Sequence, residues 1–343
     1  MNSMQRVMKA ISHEEADRVP VFHLLSSYGA KEMEISIEEY FSKAENVVDC
    51  QLKMQRKYSS DCLYTFYYAA TEIEAFGGNV IFRDKTPPNA AEPFIKSIEG
   101  IKNIEIPKIE ESKSLEKILK TTRMLKQSVG DEIPIIGVVM SPFSLPIMQM
   151  GFENYLKLLY FHENEFNQLM KLNEEFCVKW ANTQLQAGAT AICYFDPMAS
   201  PTIIEREKYL KTGHVIAQRV SKRVNGPLAI HLASGITLPV VDDIVDCKAA
   251  VLGFSNKDNL DKIKDKSKNK ICLLGNLNGV DMINWNAKKA REEVKYLIKK
   301  LAIGGGFILS DNHGEIPYQV DESILLEISN CVKKFGRYPI EME

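Results

Sequence analysis

Short apolar runs recur along the chain, and each is followed by a longer stretch with helical periodicity. We count eight such runs, at residues 19–25, 62–68, 133–140, 191–196, 227–233, 249–255, 271–277 and 307–311. The runs IPIIGVVM and AAVLGF are almost wholly apolar, which is typical of parallel strands that are covered on both faces. Eight βα units predict an α/β fold, a closed (β/α)8 TIM barrel, with a doubly wound open sheet as the alternative.

Two segments depart from this repeat. The stretch before Arg18 predicts an additional N-terminal helix that caps the barrel. Residues 71–110 contain GG and PP with few apolar repeats, which indicates a long insertion after the second strand. Because no linker or break in composition interrupts the chain, we expect residues 1–343 to form a single barrel domain.

Composition narrows the class of protein. Apolar residues make up 45% of the 343 residues and charged residues 26%, which is ordinary for a globular protein with a large core. The formal net charge of −2 argues against nucleic acid or an anionic membrane surface as a partner. Seven cysteines without a CxxC pair, and no apolar leader or membrane-spanning run, predict reduced thiols and a cytoplasmic location.

Polar residues gather at the predicted carboxyl ends of the strands, where barrels of this kind build their active sites. Asp196, His231 and His313 are the candidate catalytic residues, and we expect them to open onto the same cavity. Each has a structural alternative. Asp196 precedes a proline and could cap the following turn, and His231 ends an apolar strand and could be a buried histidine bonded to the backbone.

Other side chains at the same predicted end are candidates for binding a substrate. They are His23, Tyr64, Tyr67, Tyr68 and Asn276. The tyrosines, with the intervening Phe66, either pack in the barrel wall or line a pocket for an aromatic or methylated ligand.

Seven motifs, in order along nearly the whole chain, resemble the uroporphyrinogen decarboxylase superfamily and especially its corrinoid-dependent methyltransferase branch. They are RVMKAISHEEADRVPV, MSPFSLPIMQMG, YFDPMAS, AIHLASG, LLGNLNG, FILSDNHGEIP and KKFGRYPI. The resemblance implies a (β/α)8 barrel, in agreement with the strand count. The decarboxylases of the superfamily carry an arginine-rich loop after the first strand that binds the carboxylates of a tetrapyrrole. The matching stretch here, VFHLLSSYGAKEM, has no arginine, which argues against that substrate.

The methyl-transferring branch typically binds zinc through a His-x-Cys pair and a distant cysteine. This chain matches the histidine at His231 but has Ala233 and His313 in place of the two cysteines. The resemblance thus implies a zinc site formed by His231 and His313, completed by Glu315 or Asp196. Two neutral histidines and one carboxylate would leave more positive charge on the ion than two thiolates would, and would favour polarisation of a leaving group.

The sequence therefore predicts a methyltransferase that moves a methyl group from a small methylated donor, such as an aryl methyl ether, to the cob(I)amide of a separate corrinoid protein. Zinc and a partner-borne cobalamin are the expected cofactors, and a homodimer is compatible with the sequence. Three alternatives are methyl transfer from methylcobamide to a thiol of the coenzyme M type, uroporphyrinogen decarboxylation, and a non-catalytic partner of a corrinoid protein.

Overall fold

The computed structural model describes residues 1–341. In that range the strands are β1 (Leu63–Tyr64), β2 (Val80–Arg83), β3 (Thr86–Ala90), β4 (Ile135–Met140), β5 (Ala191–Phe195), β6 (Leu228–His231), β7 (Val251–Gly253), β8 (Cys272–Leu277) and β9 (Phe307–Asp311). The α-helices are α1 (Ser3–Ile11), α2 (Tyr28–Met33), α3 (Ile37–Ser42), α4 (Ala44–Tyr58), α5 (Thr71–Ala75), α6 (Lys113–Val129), α7 (Pro146–Met150), α8 (Phe152–Phe161), α9 (Glu163–Gln186), α10 (Arg206–Lys211), α11 (Gly213–Ser221), α12 (Val241–Asp246), α13 (Leu260–Ser267), α14 (Ala287–Leu297) and α15 (Glu322–Phe335). None of these helices has the length and apolar character needed to cross a bilayer.

Seven parallel strands form one curled sheet in the order β1-β4-β5-β6-β7-β8-β9. The last six of the eight predicted runs coincide with β4 to β9. The pairing register places Phe195 beside His231 and Leu277 beside Asp311. Because every strand points the same way, their carboxyl ends meet at one rim. The predicted (β/α)8 barrel is confirmed.

The first predicted strand, residues 19–25, is an extended segment that closes the barrel and is not a regular strand. Val21 bridges Leu309 of β9 in parallel, and the Val21 carbonyl accepts the Asp61 N–H at 2.6 Å on the other side. Pro20 has no N–H to give to a strand ladder, which shortens the regular pairing. The buried Asp61 carboxylate holds this segment by accepting the Val21 N–H at 2.8 Å and an Arg18 N–H at 2.7 Å.

Helix α1 covers the amino-terminal end of the barrel, as the sequence predicts. Its first turn is closed by a capping box in which Asn2 and Gln5 bond each other's backbone N–H. Val7 and Ala10 are buried against the interior of the barrel. This end is therefore sealed, and access to the barrel lies at the opposite rim.

The predicted insertion after the second strand contains α5, the antiparallel hairpin of β2 and β3, and short 3-10 turns. Residues 86–90 of the hairpin lie above the carboxyl-terminal rim, where they line a cavity with Phe195 at the end of β5 and with residues 313–315 after β9. The insertion is thus a cover for the mouth of the barrel.

Alternation along the strands separates two packed layers. Cys193 and Ile308 belong to the cluster inside the barrel, whereas Tyr194 and Leu309 belong to the cluster between the strands and the surrounding helices. Neighbouring residues of one strand therefore point into different layers. The face of the strand to which a residue points therefore decides whether a side chain at the rim reaches the mouth.

Candidate functional site

A cavity of about 500 Å³ lies at the mouth of the barrel beneath the β2–β3 hairpin. Strand ends and the loop after β9 form its floor, and the hairpin forms its roof. Its lining residues are Phe66, Ala69, Ile81, Arg83, Thr86, Pro87, Pro88, Asn89, Ala90, Phe195, His313, Gly314 and Glu315. A concave site of this size that combines apolar walls with a few polar groups is suited to a small molecule.

A row of rings crosses the mouth from β1 to β6. The Tyr64 and Phe66 centroids are 5.5 Å apart, and Phe66 stacks on Phe195 at 6.4 Å. Phe195 in turn stacks on His231 at 5.0 Å with planes inclined by 7°. Stacked rings of this kind form a rigid apolar wall, with His231 behind Phe195.

Two glycines make room for this row. A Cβ atom at Gly253 would lie 2.1 Å from the Cδ2 atom of His231. A Cβ atom at Gly314 would lie 2.3 Å from the Cζ atom of Phe195, and the φ of Gly314 is +93°, in the left-handed region that favours glycine. The rings of His231 and Phe195 thus occupy space that these two positions leave free.

His231 is buried at the end of β6 and faces the interior of the barrel. Burial, and the proximity of His313, lower its pKa to about 4, so the ring is neutral at pH 7. Its Nδ1 atom accepts the Ala233 N–H at 3.0 Å, which places the proton of the neutral ring on Nε2. Nε2 is buried without a hydrogen-bond partner. His231 thus carries an unused donor next to the aromatic row.

His313 lines the cavity at the start of the loop after β9. The Asp311 carboxylate fixes this loop by accepting the backbone N–H groups of His313 at 2.8 Å and Gly314 at 2.9 Å. Burial lowers the pKa of His313, against the opposing influence of Asp281, and its Nδ1 atom has no partner. The second oxygen of Asp311 is also unpartnered, and burial raises the pKa of Asp311 to about 6. Unpartnered buried polar atoms at the rim are typical of a site that receives a ligand.

Glu315 presents a carboxyl group to the same cavity. Its Oε1 atom accepts the Ser27 backbone N–H at 3.0 Å and also the Ser27 hydroxyl. Burial raises the pKa of Glu315 to about 7 despite these two hydrogen bonds. Glu315 is therefore able to hold a proton near neutral pH, as a general acid must.

Asp196 points away from the mouth, so the three predicted catalytic residues do not open onto one cavity. Its Oδ1 atom accepts the Ser141 and Ser144 hydroxyls, both at 2.6 Å, and its charge influences Tyr155 and Tyr194 in the outer layer. Burial raises the pKa of Asp196 to about 6. The parity of β5 explains the placement, because Phe195 takes the inward position and Asp196 the outward one.

Of the predicted substrate-binding residues, the structure places Tyr64 at the mouth, where its hydroxyl donates to the Gly314 carbonyl at 3.0 Å. His23 lies behind the barrel wall, with Nε2 2.9 Å from the Ser329 hydroxyl of α15. Tyr67 bonds Thr121 of α6 at 2.7 Å, and Tyr68 donates to Glu74 at 3.2 Å. These last three side chains pack in the outer layer, and for the two tyrosines this is the structural alternative given by the sequence.

Asn276 is buried at the end of β8 and borders a second cleft at the rim, between the loops after β7 and β8. Its Nδ2 group donates to the Ser255 carbonyl at 2.9 Å. The structure therefore places Asn276 at the mouth but outside the hairpin cavity.

The expected zinc ligands His231, His313 and Glu315 do not fit a metal ion in this arrangement. Within residues 1–341, no group of three His, Cys, Asp or Glu side chains is placed to hold one. The Nε2 atom of His231 carries a proton when Nδ1 accepts the Ala233 N–H, whereas a ligating nitrogen must offer a lone pair. Only the Oε1 atom of Glu315 is engaged, by Ser27, so the misfit rests on His231 and on the spacing of the side chains. We therefore assign no step of the chemistry to a metal.

Sequence reasoning missed Phe195 and Arg83. Phe195 could have been found from alternation, because it shares the inward parity of Cys193 on β5. Arg83 had no such signal, since its contribution depends on how the hairpin folds back over the rim.

Comparison with known proteins places the chain in a family. The model of the family described as uroporphyrinogen decarboxylase (URO-D) matches residues 2–335. Methylcobamide:CoM methyltransferase MtbA of Methanosarcina acetivorans is 24% identical over 342 residues, covering 96% of this chain and 97% of that protein. Uroporphyrinogen decarboxylase of Mannheimia succiniciproducens is also 24% identical, over 334 residues, covering 90% and 91%. A solved structure described as a methyltransferase from Methanosarcina mazei has a TM-score of 0.87 at 19% identity, covering 98% of this chain and 99% of that one. The chain belongs to the uroporphyrinogen decarboxylase (URO-D) family.

Proposed function

We propose that the chain is a corrinoid-dependent methyltransferase that moves a methyl group from a small methylated donor to the cob(I)amide of a separate corrinoid protein. An aryl methyl ether is the donor that best suits the cavity, because the Phe66 and Phe195 rings offer an aromatic wall. The name of the relative MtbA supports a corrinoid as the second reactant. The proposal needs only one copy of the chain, and a homodimer remains a prediction.

The observation that carries the proposal is the charge of the cavity lining. Among its lining residues Arg83 is the one arginine, and most of the other lining side chains are apolar. Uroporphyrinogen carries many carboxylates, which would need several guanidinium groups to replace their hydration. A largely neutral donor is the better match. The relatives named as decarboxylases have similar identity to this chain, so the proposal rests on the cavity lining and not on the degree of identity.

Glu315 supplies the proton that the reaction requires. The electron pair of Co(I) forms the Co–C bond, the methyl–oxygen bond breaks, and its electron pair stays on the leaving oxygen. A phenolate or alkoxide is a poor leaving group, so transfer of the Glu315 proton to that oxygen lowers the barrier. The pKa of about 7 keeps a large fraction of Glu315 protonated at neutral pH. His313 lines the same cavity as Glu315, and we assign it the role of holding the donor oxygen.

Methyl transfer from methylcobamide to a thiol is the second candidate, because the relative MtbA bears that activity in its name. Binding a thiol as thiolate usually calls for a metal with cysteine ligands. All seven cysteines of this chain are buried, and none lines the cavity. This candidate is therefore ranked below transfer from an oxygen-bound methyl group.

A screen with free cob(I)alamin tests the proposal directly. The purified protein is mixed with cob(I)alamin and a panel of methoxybenzenes, methoxybenzoates and methanol under strict exclusion of oxygen. We expect loss of the cob(I)alamin absorbance and formation of methylcobalamin with at least one aryl ether. Efficient decarboxylation of uroporphyrinogen, or methylation of coenzyme M from methylcobalamin with no ether activity, would refute the proposal.

A His313→Ala variant separates the proton-transfer route from a zinc route. We expect turnover to fall by about 100-fold, in the range of a lost acid–base or positioning group, while the zinc content by elemental analysis stays unchanged and well below one ion per chain. Stoichiometric zinc in the wild type that is lost together with activity in His313→Ala would instead support the zinc site predicted from the sequence.

A further inference from the structure

A second cleft, of about 360 Å³, opens at the barrel mouth between the loops that follow β7 and β8. Its distinguishing feature is a set of primary amide side chains, contributed by Asn256, Asn259, Asn276 and Asn278. The donor cavity described above contains one such residue, Asn89. Asparagine carries both a hydrogen-bond donor and an acceptor without net charge. The cleft is therefore suited to a neutral polar ligand.

The charged side chains of the cleft are already engaged within the chain. Asp258 accepts backbone N–H groups of Thr237 and Ser255, and Asp261 pairs with Lys300 at 2.8 Å. Lys289 pairs with Glu293 on α14 at 2.5 Å. The Asn278 amide bonds the remaining acid, Asp281, at 2.7 Å. Unused capacity remains on three amides: Asn259 caps α13 with its Oδ1 atom and keeps only donors, whereas Asn256 and Asn276 keep one donor group and one acceptor atom between them.

The amides of Asn256 and Asn276 present complementary atoms. Asn256 is exposed, and its Oδ1 atom accepts the Nδ2 group of Asn312 at 3.0 Å, which leaves its own Nδ2 group as a donor. Asn276 has the reverse arrangement, because its Nδ2 group is bound to Ser255 and its Oδ1 atom remains as an acceptor. Asn312, fully buried behind Asn256, retains an Oδ1 atom without any partner. One donor and one acceptor are what a primary amide ligand needs.

His313, which lines the donor cavity, lies close to the loop that contributes Asn278 and Asp281 to the cleft. A Cβ atom on Gly279, in the loop between β8 and α14, would lie 3.5 Å from the Nδ1 atom of His313, which itself lines the donor cavity. Two apolar residues of the same loop, Val280 and Ile283, are exposed beside the cleft, at 51% and 40%. A ligand that carries primary amides on an apolar body could contact the asparagines of the cleft and these two apolar side chains while reaching His313.

We propose that this cleft binds the corrin ring of the partner's cobamide by its primary amide side chains, with Asn256 and Asn276 as the recognition pair. The corrin periphery carries several primary amides and methyl groups and no carboxylates, which matches neutral asparagines beside Val280 and Ile283. The inference rests on the proposed function, since it assigns one side of His313 to the corrinoid and the other side to the methyl donor. The mouth of the barrel is thus divided between the two reactants.

Binding of free corrinoids by equilibrium dialysis tests the inference without turnover. The matched variants are Asn256→Asp and Asn286→Asp. In the first, Oδ1 still accepts from Asn312 but the Nδ2 donor is lost. The second makes the same change at the N-cap of α14, where aspartate is an equally good cap. We expect Asn256→Asp to weaken cobalamin binding by about tenfold, the scale of one lost hydrogen bond, and Asn286→Asp to change it less than about twofold.

A pair of probes applied to the wild-type chain gives a result that does not depend on a variant. Dicyanocobinamide keeps the corrin amides, and heptamethyl cobyrinate replaces them by neutral esters that cannot donate. We expect the cobinamide to bind at least about tenfold more tightly. Equal binding of both probes, no saturable binding of cobalamin, or unchanged binding in Asn256→Asp would overturn the inference. If methyl transfer from an ether occurs together with any of these results, the assignment of the cleft is refuted and the proposed function stands. If corrinoid binding depends on the amides but no methyl transfer occurs, the proposed function is refuted and the assignment of the cleft stands.

Discussion

The ring of His231 fills the space above Gly253, the residue paired with it on the neighbouring strand. A methyl group on Gly253 would lie 2.1 Å from the Cδ2 atom of His231, and the ring is held on its other side by Phe195 at 5.0 Å. The position of this histidine is therefore set by a missing side chain on β7 as much as by its own strand. It anchors the aromatic row that forms one wall of the donor cavity.

Gly253→Ala should destabilise the fold by about 2 kcal/mol, because the interior cannot accept the added methyl without moving His231. Urea unfolding measures the effect. Gly100→Ala is a matched control, since a Cβ atom there would lie 3.9 Å from the Ser97 hydroxyl oxygen, an ordinary contact distance. In a His231→Ala background the cost of Gly253→Ala should largely vanish. An equal cost in both backgrounds would show that the ring is not the obstacle.

The pH profile of methyl transfer should report on Glu315. The protonated form is the active one, and its pKa is about 7, so the rate should be constant at lower pH and fall as pH rises through 7. Ser27→Ala removes a hydroxyl that stabilises the carboxylate, so the pKa of Glu315 should rise and the falling limb should shift to higher pH. Glu315→Gln should cut the rate by about 100-fold and abolish this limb. If the rate of Glu315→Gln still falls as pH rises through 7, the titrating group is not Glu315.

Arg83 should determine a preference for donors that carry one carboxylate. A guanidinium group at the edge of an otherwise largely apolar cavity can pair with the acid of a methoxybenzoate but not with methoxybenzene. Arg83→Ala should therefore raise the KM for methoxybenzoates by about tenfold and leave the KM for methoxybenzene nearly unchanged. Lys85→Ala removes the same charge from the turn of the hairpin and serves as the control. Equal effects of the two variants would point to a general electrostatic influence.

Glu72 should make the fold less stable at high pH. Its side chain is buried on α5, Oε1 accepts the Met140 N–H at 2.9 Å, and Oε2 has no partner. Burial raises its pKa to about 8 from an ordinary value of 4.5. A raised pKa favours the folded state while the group is protonated, so this contribution is complete below pH 4.5 and is lost as pH rises through 8. The slope cannot exceed about 1.4 kcal/mol per pH unit for one group.

Chemical denaturation at a series of pH values checks this expectation. Glu72→Gln keeps an oxygen for the Met140 N–H and cannot ionise, so the free energy of unfolding should depend less on pH between about 5 and 8 than in the wild type. An unchanged slope would mean that other buried carboxyl groups, such as Asp196 and Asp311, dominate.

Strand order and the location of the mouth followed from the sequence, because both depend on local patterns. Continuous apolar runs identified β4 to β9. The rule that parallel strands end at one rim brought His313 and Asn276 to the mouth, with His231 in the barrel interior behind Phe195. The Gly and Pro content of residues 71–110 predicted a long insertion, and only the structure shows that it covers the mouth. The irregular pairing of the closing segment at residues 19–25 was not predicted, because it depends on β9 and Asp61, which are distant in sequence.

The assignment of side chains to layers was decided only by the tertiary structure. A shift of one residue along a strand reverses the direction of a side chain, so Phe195 faces the mouth and Asp196 does not, and His23 faces α15. The role of Glu315 likewise depends on burial and on Ser27, which lies 288 residues away in the chain. Sequence patterns report the chemistry that is available at a rim. Proton affinity and orientation depend on neighbours brought together by folding.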